Sequence, residues 1–199
     1  MAINSKAKGS SFERKLCKEL SLWWTHGERE DVFWRSAGSG ARATNAHRSG
    51  GSIANAEGDI VYSDAIGKPF TDFFCIELKT GYGDWSVMDL LESNQKVTQF
   101  EKFWEQVSES ALHCKAFPLL IYRKDRKNTI IAIEFEALEH LYSNEEAFQS
   151  LVDVPRVDLN IPYRLGRIYL YKLEDFLEAI KPAYIKEIVN DLHSEETCC

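Results

Sequence analysis

No run of eighteen apolar residues occurs in the chain, so no membrane-spanning helix and no membrane partner are expected. The opening residues, Met1 to Lys8, lack the apolar stretch of a secretory signal, and a cytoplasmic, intracellular protein is expected. Cysteines are odd in number, at 17, 75, 114, 198 and 199, and no two have Cys-x-x-Cys spacing. Cys17 and Cys75 lie in apolar patterns that suit reduced core residues, and the terminal Cys198-Cys199 pair is a tail feature rather than a metal site. The histidines (26, 47, 113, 140 and 193) show no metal-ligand spacing. None stands with a Cys or Ser in a recognised nucleophile motif, which argues against a covalent triad enzyme. Excess positive charge is missing too: the net charge of −7 argues against broad, sequence-blind nucleic-acid binding by bulk electrostatics. Internal repeats and low-complexity segments are absent.

What is present is a globular composition, 44% apolar and 12% aromatic over 199 residues. That is enough for one domain with a real core, or one domain plus a helical appendage. Charge is uneven along the chain. Residues 1–56 carry nine Lys and Arg against five acids, whereas the remainder carries 15 against 26. A basic front and an acidic back fit a protein that turns one face to phosphate, and they fit chance as well.

Apolar periodicity predicts a helix from Ser10 to about Thr25, with Phe12, Leu16, Leu20, Trp23 and Trp24 on one face and Cys17 on its flank. A short strand is expected over Asp31–Ser36, then a long loop from Ala37 to Ala56, rich in Gly, Ser, Ala and Asn. Strands follow near 58–63 and 72–79, separated by a turn at Gly67-Lys68-Pro69. A helix is expected over roughly 93–112, burying Val97, Phe100, Phe103, Trp104, Val107 and Ala111. Strands at Ala116–Tyr122 and Thr129–Phe135 flank the basic turn 123–128; short helices and one strand at Arg167–Tyr171 complete the chain. The order α-β-β-β-α-β-β predicts an α/β sheet flanked by helices, a core over 1–135 and a mainly helical C-terminal extension over 136–199 packed on it.

The strand Phe73 to Lys79 carries chemistry. Period-two geometry puts Glu77 and Lys79 on one face and Ile76 and Leu78 on the other. Asp59 starts the preceding strand, and if the two strands pair, Asp59, Glu77 and Lys79 converge. Two carboxylates beside a lysine suit Mg²⁺-assisted phosphodiester hydrolysis, in which the cation lowers the pKa of a bound water and the lysine orients it. A plain surface salt bridge is the competing account of Glu-x-Lys. Glu13 lies in the apolar stripe of its helix. A charge aimed at a core needs a partner or a metal, although Ser10-x-x-Glu13 also spells a capping box that would satisfy a free backbone N–H. Trp34 to Gly40 ends a strand in a small-residue loop where backbone N–H groups can approach a phosphate and Arg35 can neutralise it. An ordinary Gly/Ser turn has the same composition. Arg42, His47 and Arg48 are candidates for phosphate contacts.

Together, Lys8-Gly9-Ser10-Ser11-Phe12-Glu13-Arg14, Arg35-Ser36-Ala37-Gly38-Ser39, Gly58-Asp59-Ile60 and Ile76-Glu77-Leu78-Lys79 resemble the PD-(D/E)xK nuclease superfamily, and within it the archaeal and phage Holliday-junction resolvases. The likeness covers about residues 6–135. It implies a restriction-endonuclease-like α/β fold in which Asp59 and Glu77 ligate Mg²⁺ or Mn²⁺ with help from the Leu78 carbonyl. Lys79 would position the attacking water, Glu13 would complete the acidic cluster, and Ser36 would sit in the loop at the junction. Lys8, Arg35, Ser39, Arg42 and Arg48 are the expected DNA contacts. The chain departs from the family in having no proline before Asp59, a long 37–56 loop, and residues beyond 136 that the minimal resolvase lacks. Weaker candidates are Gln95, Lys96 and Gln99 on the second long helix, and Tyr82 and Trp85 as base-stacking aromatics. The expected function is a metal-dependent endodeoxyribonuclease on branched DNA, acting as a homodimer, and the resemblance implies a phage or prophage origin. The alternatives are an endonuclease on linear or single-stranded DNA, and a non-catalytic DNA-binding protein with an idle site.

Overall fold

The computed structural model describes residues 5–36, 58–81, 89–92, 97–161 and 165–196. Helix α1 spans Ser5–Trp24 and buries Phe12, Leu16, Cys17, Leu20 and Trp24, one turn apart or nearly so, along a single stripe. It begins five residues before Ser10, which overturns the capping box expected at Ser10-x-x-Glu13: both residues sit inside the helix, where no free N–H awaits a cap. A capping box does occur at Thr98-x-x-Glu101, at the start of another helix.

Strands β1 (Phe33–Arg35) and β2 (Ile60–Tyr62) form an antiparallel ribbon with Arg35 opposite Ile60. The ladder expected between the Asp59 and Glu77 strands is not made: β2 pairs with β1, and it is Asp59, just before β2, that bonds to β3. The turn expected at Gly67-Lys68-Pro69 is a 3-10 turn, Ala65–Gly67, running into helix α2, Lys68–Phe73. Proline suits the first turn of a helix, where its missing N–H has no partner to lose. Phe70 and Phe73 turn inward and pack edge-on against neighbouring rings.

Strand β3 (Phe74–Thr80) leads through a short helix α3 (Asp89–Glu92) and the long helix α4 (Gln99–Cys114) to β4 (Phe117–Arg123), which lies parallel to β3. Helix α4 buries the expected Phe100, Phe103, Trp104, Val107 and Ala111. Val97 is corrected: it precedes the Thr98 cap and is 56% exposed. Strand β5 (Thr129–Glu134) returns antiparallel to β4, followed by α5 (Phe135–Ser143), α6 (Glu145–Leu151), β6 (Arg156–Ile161), β7 (Gly166–Lys172), α7 (Leu173–Ala179) and α8 (Pro182–Glu196).

The result is a five-stranded mixed sheet in the order β3-β4-β5-β7-β6, flanked by helices, a restriction-endonuclease-like α/β arrangement. Alternation along the strands feeds two cores. Ile76, Leu78, Leu119, Ile121, Ile131 and Ile133 face α1 and the C-terminal helices; Leu120, Tyr122, Ala132, Ile168 and Leu170 face α4. Strand β6 was not expected. Its Arg-Val-Asp-Leu-Asn-Ile run alternates as a half-buried edge strand does, but only Leu159 is buried, so its apolar signal is faint. No described helix is long and apolar enough to cross a membrane.

Candidate active site

Strand β3 is the edge of its sheet, so one row of its backbone groups faces away from β4 and needs partners. Asp59 supplies two of them. Its backbone N–H donates to the Ile76 carbonyl at 2.7 Å, and its Oδ2 accepts from the Leu78 N–H at 2.8 Å. The chain reaches β3 this closely because of Gly58. With φ at +76°, it sits where a Cβ would lie 2.8 Å from the Ile76 carbonyl oxygen, so glycine alone fits. Ser36 fastens the other side: it is buried, its Oγ donates to the Gly58 carbonyl at 2.8 Å, and its N–H donates to the Asp59 carbonyl at 2.9 Å. A serine expected at the DNA junction thus stands here as a brace for the aspartate.

Glu77 and Lys79 share the face that looks toward α4. Both are largely buried, and the Lys79 ammonium donates to Glu77 Oε1. Gln106 of α4 closes the group, donating to Glu77 Oε1 at 2.6 Å and accepting from Lys79 at 3.0 Å. The ammonium also lies 5.5 Å from the centre of the Phe103 ring. Gln106 was not singled out from the sequence, which pointed to Gln95, Lys96 and Gln99. Gln95 and Lys96 lie outside the described residues, and Gln99 is the first residue of α4. The available signal was helical: Gln106 is three residues beyond Phe103 and shares its face.

Glu13, on α1, adds a further negative charge that Asp59 feels. Its carboxylate takes the Arg35 Nε–H, and Arg35 Nη1 donates to Ser10 Oγ at 3.1 Å. The acid aimed toward the core therefore has a partner, and the arginine expected to meet phosphate is engaged with it. Lys8 belongs to the first turn of α1, while Ser39, Arg42, His47, Arg48, Tyr82 and Trp85 lie outside the described residues.

Negative charge is concentrated here. Burial first, and then the neighbouring Glu77, push the Asp59 carboxyl up to about 7. Cys17, beneath the site, is pushed up to about 12 by burial and by Glu13. Two buried carboxylates that repel one another are discharged by a divalent cation, and an all-oxygen donor set suits a hard one. Among the described residues no group of three or more His, Cys, Asp or Glu side chains is placed to hold a metal. Mg²⁺ asks for less than that, since it keeps several waters and is commonly held by one or two carboxylates. The residues present fit such an ion.

Comparison with known proteins gives a family. A model described as "Phage putative PDDEXK endonuclease" matches residues 4–187, nearly the whole chain. No curated protein and no solved structure matches. With that match spanning both the acidic site and the sheet that carries it, the chain belongs to the phage PDDEXK endonuclease family.

Proposed function

We propose that the protein is a metal-dependent endodeoxyribonuclease that hydrolyses phosphodiester bonds in branched DNA, with a four-way junction as its favoured substrate. The observation that carries this reading is the meeting of Asp59, Glu77 and Lys79 at the open edge of β3, with Asp59 locked to the strand backbone. Asp59 and Glu77 are the proposed ligands of Mg²⁺ or Mn²⁺, and the Leu78 carbonyl, on the same edge as the Leu78 N–H that Asp59 accepts, is the third. A bound cation supplies Lewis-acid charge at the phosphodiester and a lowered pKa for attacking water. Lys79, steadied by Glu77 and Gln106, orients that water and offsets charge developing on the phosphate. Displacement occurs in one step and leaves no covalent intermediate. Arg35 turns from Glu13 to a DNA phosphate, and Glu13 then completes the acidic cluster. Cutting a junction symmetrically needs two such sites, so the working unit is a homodimer, acting in the cytoplasm.

The test is cleavage of a labelled four-way junction and a matched linear duplex in Mg²⁺, with Lys79→Ala alongside. Junction-confined cutting, reduced at least ~100-fold by the substitution, is expected. Equal cutting of both substrates overturns the junction preference and keeps the nuclease. No metal-dependent cutting of either overturns the nuclease. Symmetric junction cutting by a strict monomer overturns the homodimer.

A further inference from the structure

Strands β4 and β5 are joined by Arg123-Lys124-Asp125-Arg126-Lys127-Asn128, a turn closed by the Lys127 N–H donating to the Lys124 carbonyl at 3.2 Å. Beyond residue 56 acids outnumber Lys and Arg by 26 to 15, yet four of those 15 fall within the five positions 123–127, against a single acid. This is a cationic island in an acidic half. Its location follows from the sheet register. Arg123 pairs with Thr80, one residue past Lys79, and the Gly81 N–H donates to the Arg123 carbonyl at 3.1 Å. The hairpin therefore projects from the end of the sheet where the candidate site opens. Its root is fixed there: the Arg123 guanidinium lies 4.6 Å from the centre of the Phe12 ring, on the stretch of α1 that carries Ser10 and Glu13. Arg126 and Lys127 are exposed at the tip, and among the described residues no carboxylate pairs with them.

We propose that the hairpin from Arg123 to Lys127 is a phosphate-binding arm that grips the DNA strand beside the scissile bond. At ~3.3 Å per residue the tip stands roughly 10 Å beyond Lys79. A phosphate at that reach lies within a few nucleotides of the cut. The contacts are to backbone, carry no base preference, and make affinity fall with salt. This inference rests on the nuclease reading, which names DNA as the substrate.

Backbone conformation provides a matched control. Arg126 has φ +59° and Lys115 φ +54°, both in the left-handed region that favours glycine. Lys115 ends α4 before β4 begins, at the opposite end of that strand. Replacing either residue with glycine relieves the backbone and removes one positive charge, but only one of the two is on the proposed arm.

The experiment measures binding of a labelled four-way junction by the full chain in Ca²⁺ across a salt series, together with melting temperature and cleavage in Mg²⁺. Arg126→Gly/Lys127→Ala is expected to lower the slope of log K against log salt by about 2 and to weaken binding on the order of tenfold at 0.1 M salt, without lowering the melting temperature. Lys115→Gly is expected to leave the slope unchanged. The charge-conserving pair Arg126→Lys/Lys127→Arg is expected to retain it too. An unchanged slope in Arg126→Gly/Lys127→Ala, with the parent still cutting, overturns the arm and spares the nuclease. An equal loss in Lys115→Gly also overturns it, since bulk charge would then account for the effect. A parent that neither binds nor cuts DNA overturns both readings.

Discussion

Gln106 is the residue whose role is most open to measurement. Its amide donates to Glu77 and accepts from Lys79, so one side chain fixes the orientation of both members of the Lys79–Glu77 ion pair. It is a positioning residue, acting through those two groups. Gln106→Ala is expected to lower kcat on the order of tenfold with KM nearly unchanged, because the loss falls on geometry at the reacting centre rather than on DNA contacts. Gln106→Glu, which keeps the size but adds a further carboxylate, should not rescue it. A rise in KM at constant kcat would assign Gln106 to substrate binding instead. Glu77, Lys79 and Asp59 were legible in the sequence because a two-residue period and a short motif act locally. The partners were not. The Glu13–Arg35 pair and the Gln106 bridge join residues 22 and 29 positions apart, and only the assembled sheet, ribbon and helices bring them together.

Among the elements, β5 carries a cost at its end. Glu134 closes the strand, follows the alternation that puts Ala132 on the α4 side, and precedes α5 without capping it. Burial, with Glu136 adding repulsion, pushes its carboxyl up to about 7 from an ordinary value near 4.5. A raised folded-state value means that the native protein keeps a proton the unfolded chain gives up. The stabilising contribution is then complete below about 4.5 and is lost as pH rises through 7. Discounting for partial exposure, the loss is on the order of 1 kcal/mol. Glu134→Gln is expected to flatten this part of the profile, as read by urea midpoints at pH 4.5 and 8; an unchanged slope would show that Glu134 is solvated. The strands β3, β4, β5 and β7 were legible as apolar runs with clear turns between them. The helix over 68–73 was hidden by a Gly-Lys-Pro sequence that usually marks a turn, and β6 by the polar residues an exposed edge strand carries.

On the scale of the whole molecule, the site depends on a sheet that the C-terminal third completes. Strand β7 pairs with all of β5 but its first residue, with Ile130 opposite Lys172 and Glu134 opposite Ile168, and β6 pairs in turn with β7. The core beneath α1 continues without a break into Leu138, Leu141, Tyr169, Tyr171, Phe176 and Ile185. The Trp23 indole N–H, on the helix that carries Glu13, donates to the Leu177 carbonyl at 2.8 Å. A chain ending at residue 135 would keep every residue of the candidate site but expose the β5 edge and lose nearly half of the main core. Each large buried side chain contributes about 1.5–3 kcal/mol, and a domain's net stability is only ~5–15 kcal/mol, so the loss of several exceeds what the remainder can supply. A fragment of residues 1–135 is therefore expected to show no cooperative thermal transition and to bind a hydrophobic dye, with DNA cleavage lost in parallel. A sharp two-state melt with cleavage retained would instead make residues 136–199 a separable appendage. The catalytic frame would then rest on β3, β4 and β5 alone.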